Sequence, residues 1–435
     1  MPIAIFLLTL ALVIWQPRGL GVGFSAVGGA LLALVTGVAS LQNISTVWAL
    51  TWNASFTLIA LVIIAYILNE AGFFQWLALV IAHLGMGRGR LLFTFVVLLG
   101  ALVTALLTNE CTAVLWTPVV MEMLLLLGFR PKGTLAFIFA TGFIANAAST
   151  ILPVSNLVNL ISVDYFKISF LRYVMVMVPV SFVAIATSLV VLGFYFDRDI
   201  PPTYDSKPLP PPASAIRDPL VWQWSVAILG LLLVGYFVAS ALSLPVSLVA
   251  VIAALAMVAL AGRWFHRHDP PIIEIRQVWR AAPWQVILFT LGMYVVVIGL
   301  YQADLSVGLS QCLEYLSRWG LTLTATGTGF LATLLSGAIG NLPTLLINHL
   351  AIQDLTGIAP ELREVMVYAN TIGCSIGANI TPVGSLSTLL WLNILARKGV
   401  QIGWAEYVGM ALTLTVPVLF VSLLSLAIWL PWLIA

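Results

Sequence analysis

Apolar stretches recur along this 435-residue chain at the length needed to cross a bilayer, and that property excludes most folds open to a chain of this size. Val22 to Leu41, Phe56 to Leu68, Tyr173 to Tyr195, Val221 to Val238, Leu244 to Leu260 and Gly409 to Leu433 contain no charged residue. Several of them approach the ~20 residues that span a hydrocarbon core. Lipid offers no water to unpaired amides, so such segments must satisfy their own backbone, and they read as helices. Charged residues make up 8% of the chain, hydrophobic ones 61%, and mean hydropathy is +1.10. Soluble domains carry roughly 25% charge, and no stretch here could form one. The fold class is therefore all-α and polytopic, in contact with the lipid bilayer. Ile3 to Trp15 has no basic residue before it and no small-residue cleavage site after it, so it reads as a retained helix.

The chain also says nearly the same thing twice. NECT at Asn109 to Thr112 is answered by NLPT at Asn341 to Thr344, and LPVSNL at Leu152 to Leu157 by TPVGSL at Thr381 to Leu386. Asn109 and Asn341, Trp52 and Trp284, and Ala71 and Ala303 share one offset, with Pro153 and Pro382 at a slightly shorter one. Duplicated halves with paired breaks are a transporter signature. The Pro-rich stretch containing PPTYDSKPLPPP is extended linker material and falls where the halves should join. The expected organisation is repeat one at 1–196, a cytoplasmic linker at 197–219 and repeat two at 220–435. In repeat one, scaffold helices are expected at about 1–86 and transport elements at about 91–196; in repeat two, at about 220–319 and 321–435. Each repeat is expected to make about five crossings, one re-entrant hairpin with its Asn-x-x-Thr motif at the tip, and one broken helix. Phe73 to Met86 and its counterpart Ala303 to Trp319 are short for spans and read as interfacial arms.

Charge placement supports the hairpins. Five crossings plus a hairpin invert the second repeat relative to the first and put both termini outside. Of the 18 basic residues, only Lys167, Arg172, Arg318 and Arg363 then remain on the outer side, while the cytoplasmic loops hold the rest, including Arg18, Arg130, Lys132, Arg198 and Arg267. Scattered in this way over loops, the basic residues form no nucleic-acid patch.

The breaks carry the chemistry. Around 148–159 and 377–388 each helix meets a proline, which removes an amide donor, beside several hydroxyl and amide side chains. Unwound backbone at membrane depth is tolerated only inside protein or along a watery cavity. Hairpin tips and breaks are expected to converge on one site. The polar inventory is Asn109, Thr112, Asn146, Ser149, Thr150, Ser155, Asn156 and Asn159 from the first half, with Asn341, Thr344, Ser375, Asn379, Thr381, Ser385, Ser387 and Thr388 from the second. From these, Asn109, Thr112, Ser155, Asn156, Asn341, Thr344, Thr381, Gly384 and Ser385 are the expected substrate contacts. No Lys, Arg or His falls in either tip or break, which suits a small neutral hydroxylated solute. The acid Glu110 would cost about 2.5 to 3.5 kcal/mol to insert as an anion at the midplane, which makes it the proton-coupling candidate. Glu122 is the next candidate. A lone Pro-Ser is ordinarily a packed kink, but four matched motifs are not. His349 reads as structural or facing the outer vestibule, and Asp164 as an outer-loop charge. Cys111 and Cys374 read as packing residues, although a soft thiol could touch a trivalent metalloid. With Cys312 they are too few and too far apart for a disulfide framework or zinc site. No cofactor, metal centre or enzymatic activity is expected.

Further stretches give the chain a family likeness. WQPRGLGVGFSA (Trp15 to Ala26), NEAGFFQW (Asn69 to Trp76), GRGRLLFT (Gly87 to Thr94), VSNLVN (Val154 to Asn159), MVYANTIGC (Met366 to Cys374) and ITPVGSLSTLLWL (Ile380 to Leu392) resemble the arsenite efflux permeases, the ArsB family. These belong to an ion-transporter superfamily that also holds sodium/dicarboxylate carriers. The resemblance runs almost end to end. It implies secondary active export of arsenite or antimonite from the bacterial cytoplasm against proton entry, across the inner membrane. It further implies an elevator arrangement and, optionally, a soluble arsenical ATPase as partner. Family members carry acids at the positions of Asn146 and Ser375, a lysine at Asn379 and Asp at Glu110, so proton duty here would concentrate on Glu110. The alternative within the superfamily is a sodium- or proton-coupled carrier of small carboxylates or other anions.

Overall fold

Among the described residues every regular element is helical. The computed structural model describes residues 1–264, 270–301 and 307–434. Ala303 and Arg267, used in the reading above, lie outside the described residues. The first half comprises α1 (Pro2–Trp15), α2 (Val22–Val35), α3 (Leu41–Glu70), α4 (Phe73–Leu84), α5 (Gly89–Leu106), α6 (Asn109–Cys111), α7 (Thr117–Leu126), α8 (Pro131–Ala147), α9 (Leu157–Phe166) and α10 (Phe170–Tyr195). The second comprises α11 (Pro219–Ala241), α12 (Val246–Ala261), α13 (Ile275–Ala281), α14 (Trp284–Tyr301), α15 (Val307–Ser317), α16 (Leu321–Ile339), α17 (Asn341–Asp354), α18 (Pro360–Ser375), α19 (Leu386–Arg397) and α20 (Trp404–Ile434). Among the described residues, 7 helices are long and apolar enough to cross a membrane. Their outward faces are apolar, as on α11 with exposed Val226, Leu231 and Val234, and exposed tryptophans such as Trp15 and Trp432 stand at helix ends, where indole favours the membrane interface.

Some boundaries differ from the apolar runs. The run from Val22 to Leu41 divides, because α2 stops at Val35 and Ser40 caps a new helix whose Asn43 side chain accepts the Ser40 amide at 2.6 Å. Phe56 to Leu68 falls in the C-terminal half of that 30-residue α3, whose first turns are polar. The linker is less free than its prolines imply. Gly89 donates its amide to the Pro202 carbonyl at 3.1 Å, Tyr204 donates its own to Gly87 at 2.8 Å, and residues 212–215 form a 3-10 turn. Beyond it, Asp218 caps α11 by accepting the Val221 amide at 3.1 Å and pairs at 2.9 Å with Arg263, both side chains buried.

The helices sort into two packed groups. In one, α2 lies along α14, α3 along α12, and α1 and α11 complete the layer. Small residues permit α2 and α14 to approach closely: a Cβ on Gly292 would come within 2.5 Å of the Ala26 carbonyl carbon. In the other group α10 lies along α20, α16 along α18, and α5 and α7 against α8. Contacts of α3 with α9 and of α14 with α17 join the groups.

Candidate substrate site

The Asn-x-x-Thr motifs begin helices. Thr108 caps α6 by accepting the Cys111 amide at 3.2 Å, and Asn109, Glu110 and Cys111 follow as its buried turn. Pro118 cannot donate an amide to the preceding turn, and the chain just before it widens into a π-turn over Thr112–Trp116. In the second half Gly340 turns the chain at φ 89°, a conformation that favours glycine, and Asn341 opens α17.

Both long helices break where the prolines predict. α8 stops at Ala147, Pro153–Ser155 makes one 3-10 turn, and Asn156 caps α9 by accepting the Val158 amide at 3.0 Å. The carbonyls freed by the break find donors. Asn159 donates to Ser149 O at 2.6 Å and to Leu152 O at 2.9 Å, and the Tyr173 hydroxyl donates to Thr150 O at 2.9 Å. Ser155 donates to Ala105 O in α5 at 2.8 Å, which ties the break to α5. In the second break, Thr381 donates to Gly337 O at 2.7 Å, Ser336 to Gly384 O at 3.3 Å, and Tyr407 to Asn379 O at 3.0 Å. Gly384 must lack a side chain, because a Cβ there would sit 2.2 Å from the Ala378 carbonyl oxygen.

The halves meet at Asn146, in the last turn of α8. Its Oδ1 accepts from Asn109 Nδ2 at 3.1 Å, Ser387 Oγ at 2.9 Å and Ser385 Oγ at 3.4 Å. Its Nδ2 donates to Asn379 Oδ1 at 2.8 Å and to Thr388 Oγ1 at 3.1 Å. Asn109 also donates to Ser387 at 3.1 Å, and Ser385 and Ser387 share a hydrogen bond at 2.7 Å. All six side chains are buried. The start of α6, the end of α8 and the second break, drawn from both halves, thus form one uncharged hub. Beside Thr388 lies a cavity of about 10 Å³, walled by Phe139, Phe143, Trp391 and Tyr407, room for about one water.

The expected contacts distribute unevenly over this geometry. Asn109 and Ser385 are in the hub. Asn156 lies one step away, donating to Ser149 at 3.0 Å and Ser375 at 3.4 Å. Thr112 pairs with Thr104 at 2.7 Å, and Ser155, Thr381 and Gly384 hold backbone. Asn341 Oδ1 accepts the Leu342 amide at 2.9 Å, and the buried Thr344 hydroxyl has no partner. Asn146, Asn379, Ser387 and Thr388 stood in the polar inventory but outside the chosen contacts. Their signal was position: each lies in the turn immediately before or after a break, or within it.

Glu110 is buried one residue from Asn109. Its Oε2 has no hydrogen-bond partner, and none of the ion pairs among the described residues includes it. Glu122 is instead exposed and paired with Lys398 at 2.7 Å. His349 faces no vestibule: it is fully buried between the rings of Tyr165 and Phe166, with Nε2 at 3.0 Å from Ser162 Oγ. Asp164 is no free loop charge, because it lies in the last turn of α9 and accepts from Asn53 of α3 at 3.0 Å. Both thiols beside the motifs are buried, Cys111 accepting from Thr108 at 3.2 Å and Cys374 donating to Asn370 at 3.5 Å.

Lipid-facing helices around a buried, hydrogen-bonded polar centre built from broken helices define a polytopic helical membrane transporter. Comparison with known proteins narrows this class. Residues 1–430 match the family described as arsenical pump membrane protein. An arsenical pump membrane protein of Escherichia coli is 49% identical over 425 residues, covering 98% of this chain and 97% of its own. One from Yersinia enterocolitica is 48% identical over 425 residues, with the same shares covered. The crystal structure of the Alcanivorax borkumensis YdaH transporter superposes with a TM-score of 0.59 at 15% identity, covering 92% of this chain and 89% of that one, a likeness of fold. The chain belongs to the arsenical pump membrane protein family.

Proposed function

We propose that this protein exports trivalent arsenic and antimony, as arsenite and antimonite, from the bacterial cytoplasm across the inner membrane in exchange for protons. The observation that carries the reading is the hub around Asn146: amides and hydroxyls from both halves, no Lys, Arg or His among them, with the buried Glu110 next in sequence to its member Asn109. Neutral arsenite presents three hydroxyls, each a donor and an acceptor. It can replace the hub's internal hydrogen bonds in kind, donor for donor and acceptor for acceptor. A carboxylate would enter a site with no cation to meet it, which disfavours the dicarboxylate reading.

In this scheme the two halves are inverted repeats with both termini outside. The group containing α5 to α10 and α16 to α20 moves as an elevator against the group built on α1 to α3 and α11 to α14. Glu110 moves inward protonated with the empty site, loses its proton to the cytoplasm, and arsenite then binds. At the outer face arsenite leaves and the carboxyl is protonated again, its charged form being costly at membrane depth. A soluble arsenical ATPase is an optional partner.

Everted vesicles test the scheme. Glu110→Gln, which mimics the protonated acid, should abolish pH-gradient-driven arsenite uptake while the protein stays at wild-type abundance. Uptake with the wild-type gradient dependence would refute the assignment and turn attention to Glu122. Uptake that requires sodium and is inhibited by small dicarboxylates would favour the anion-carrier alternative.

A further inference from the structure

Between the start of α8 and the linker lies an open cavity of about 500 Å³. Three cations line it, Arg130, Lys132 and Arg198, against one carboxylate, Asp199. Among the described residues none of these cations makes an ion pair, whereas nearby Arg90 is paired with Asp197 at 2.6 Å. Arg130 is also the N-cap of the 17-residue α8. The first-turn amides of that helix have no acceptor within it and add positive potential on the same side. The linker wall is fixed by the backbone bonds from Gly89 and Tyr204 already described, and by the Tyr204 hydroxyl donating to Ala82 O at 2.5 Å.

The lining includes the buried Leu127, which follows Leu125 and Leu126, 59% and 55% exposed at the end of α7. Isolated cytoplasmic cations attract anionic lipid only diffusely. Here three unpaired ones share a walled cavity whose lining lies one residue from the exposed leucines that end α7. We infer that this cavity binds the phosphate headgroup of an anionic membrane lipid, with Arg130, Lys132 and Arg198 meeting the phosphate and the acyl chains lying along Leu125 and Leu126. The inference rests on this face lying at the cytoplasmic membrane surface, as the proposed topology has it.

Native mass spectrometry of the full-length protein in detergent tests it without measuring transport, so its failure and that of arsenite export are separable. Phosphatidylglycerol should bind saturably and phosphatidylcholine should not. The double variant Arg130→Gln, Arg198→Gln should weaken phosphatidylglycerol binding by about fivefold per charge removed. Arg217→Gln, in the same linker but outside the cavity, should leave binding unchanged, and all variants should keep the lipid-free melting temperature. Equal binding of the two lipids, or unaltered binding in the double variant, overturns the proposal. Inorganic phosphate binding as tightly as phosphatidylglycerol also overturns it, because the acyl chains would then contribute nothing.

Discussion

The contact between Asn146 and Asn379 can be tested by exchanging its chemistry. In Asn146→Asp the ionised carboxylate places an acceptor where Nδ2 stood, 2.8 Å from Asn379 Oδ1, and removes the donor to Thr388 at 3.1 Å. An anion at this depth costs about 2.5 to 3.5 kcal/mol. If Asn379 turns its amide to meet the charge, Nδ2 abandons the Phe143 carbonyl, its acceptor at 3.3 Å. A net loss of about 3 kcal/mol corresponds to roughly 150-fold in initial rate if it falls on the transport cycle. Asn379→Lys alone buries an unpaired cation and should lose a similar amount. Together, Asn146→Asp and Asn379→Lys place opposite charges in contact and should recover most of the activity, because breaking a buried pair typically costs about 3 to 5 kcal/mol. The assay is arsenite uptake by everted vesicles, normalised to membrane-inserted protein, for the wild type, both single variants and the double. A coupling below about 0.5 kcal/mol, within the scatter of independent sites, would show that these side chains do not meet as described.

Other outcomes follow from the same coordinates. Asn109→Ala, Asn341→Ala and Ser385→Ala should each lower arsenite resistance of the host at normal protein abundance; unchanged resistance in all three would reject the site. Cys111→Ala with Cys374→Ala should retain vesicle transport, because both thiols are committed to buried neighbours, Thr108 and Asn370, and complete loss would instead implicate sulfur. Arg263→Ala should destabilise the protein by about 3 to 5 kcal/mol by stranding the buried Asp218, read as a lower melting temperature in detergent. Asp218→Asn with Arg263→Met, which keeps the α11 cap and removes both charges, should recover much of that loss.

Much of this architecture was legible because lipid makes local rules strict. Prolines and small polar residues at 148–159 and 377–388 announced breaks, and the breaks are there, since an amide missing at membrane depth has few other outcomes. Helix starts were harder to read. The polar opening of α3 shows no apolar signal, and its cap lies in a side-chain bond between Ser40 and Asn43. Within the site, residue type identified the polar set but not its centre. Asn146 becomes the hub only because α8 ends there and points its amide at residues more than two hundred positions later, a pairing that no local pattern encodes. Asp164 was misread for the same reason, its partner Asn53 being distant in sequence, whereas His349 takes the structural one of its two readings, packed against Ser162.

The way the first break satisfies its carbonyls has a consequence for biosynthesis. Ser149 O, Thr150 O and Leu152 O are met by Asn159 and Tyr173, all made before the linker. The emerging first half can therefore close its own broken helix while the ribosome is still at work. Asn146 is in a different position, because its Nδ2 partners, Asn379 and Thr388, are synthesised near the end. Until they arrive, the Asn146 amide of a half-made chain lacks both of these partners, so the hub can close only once the second half is complete.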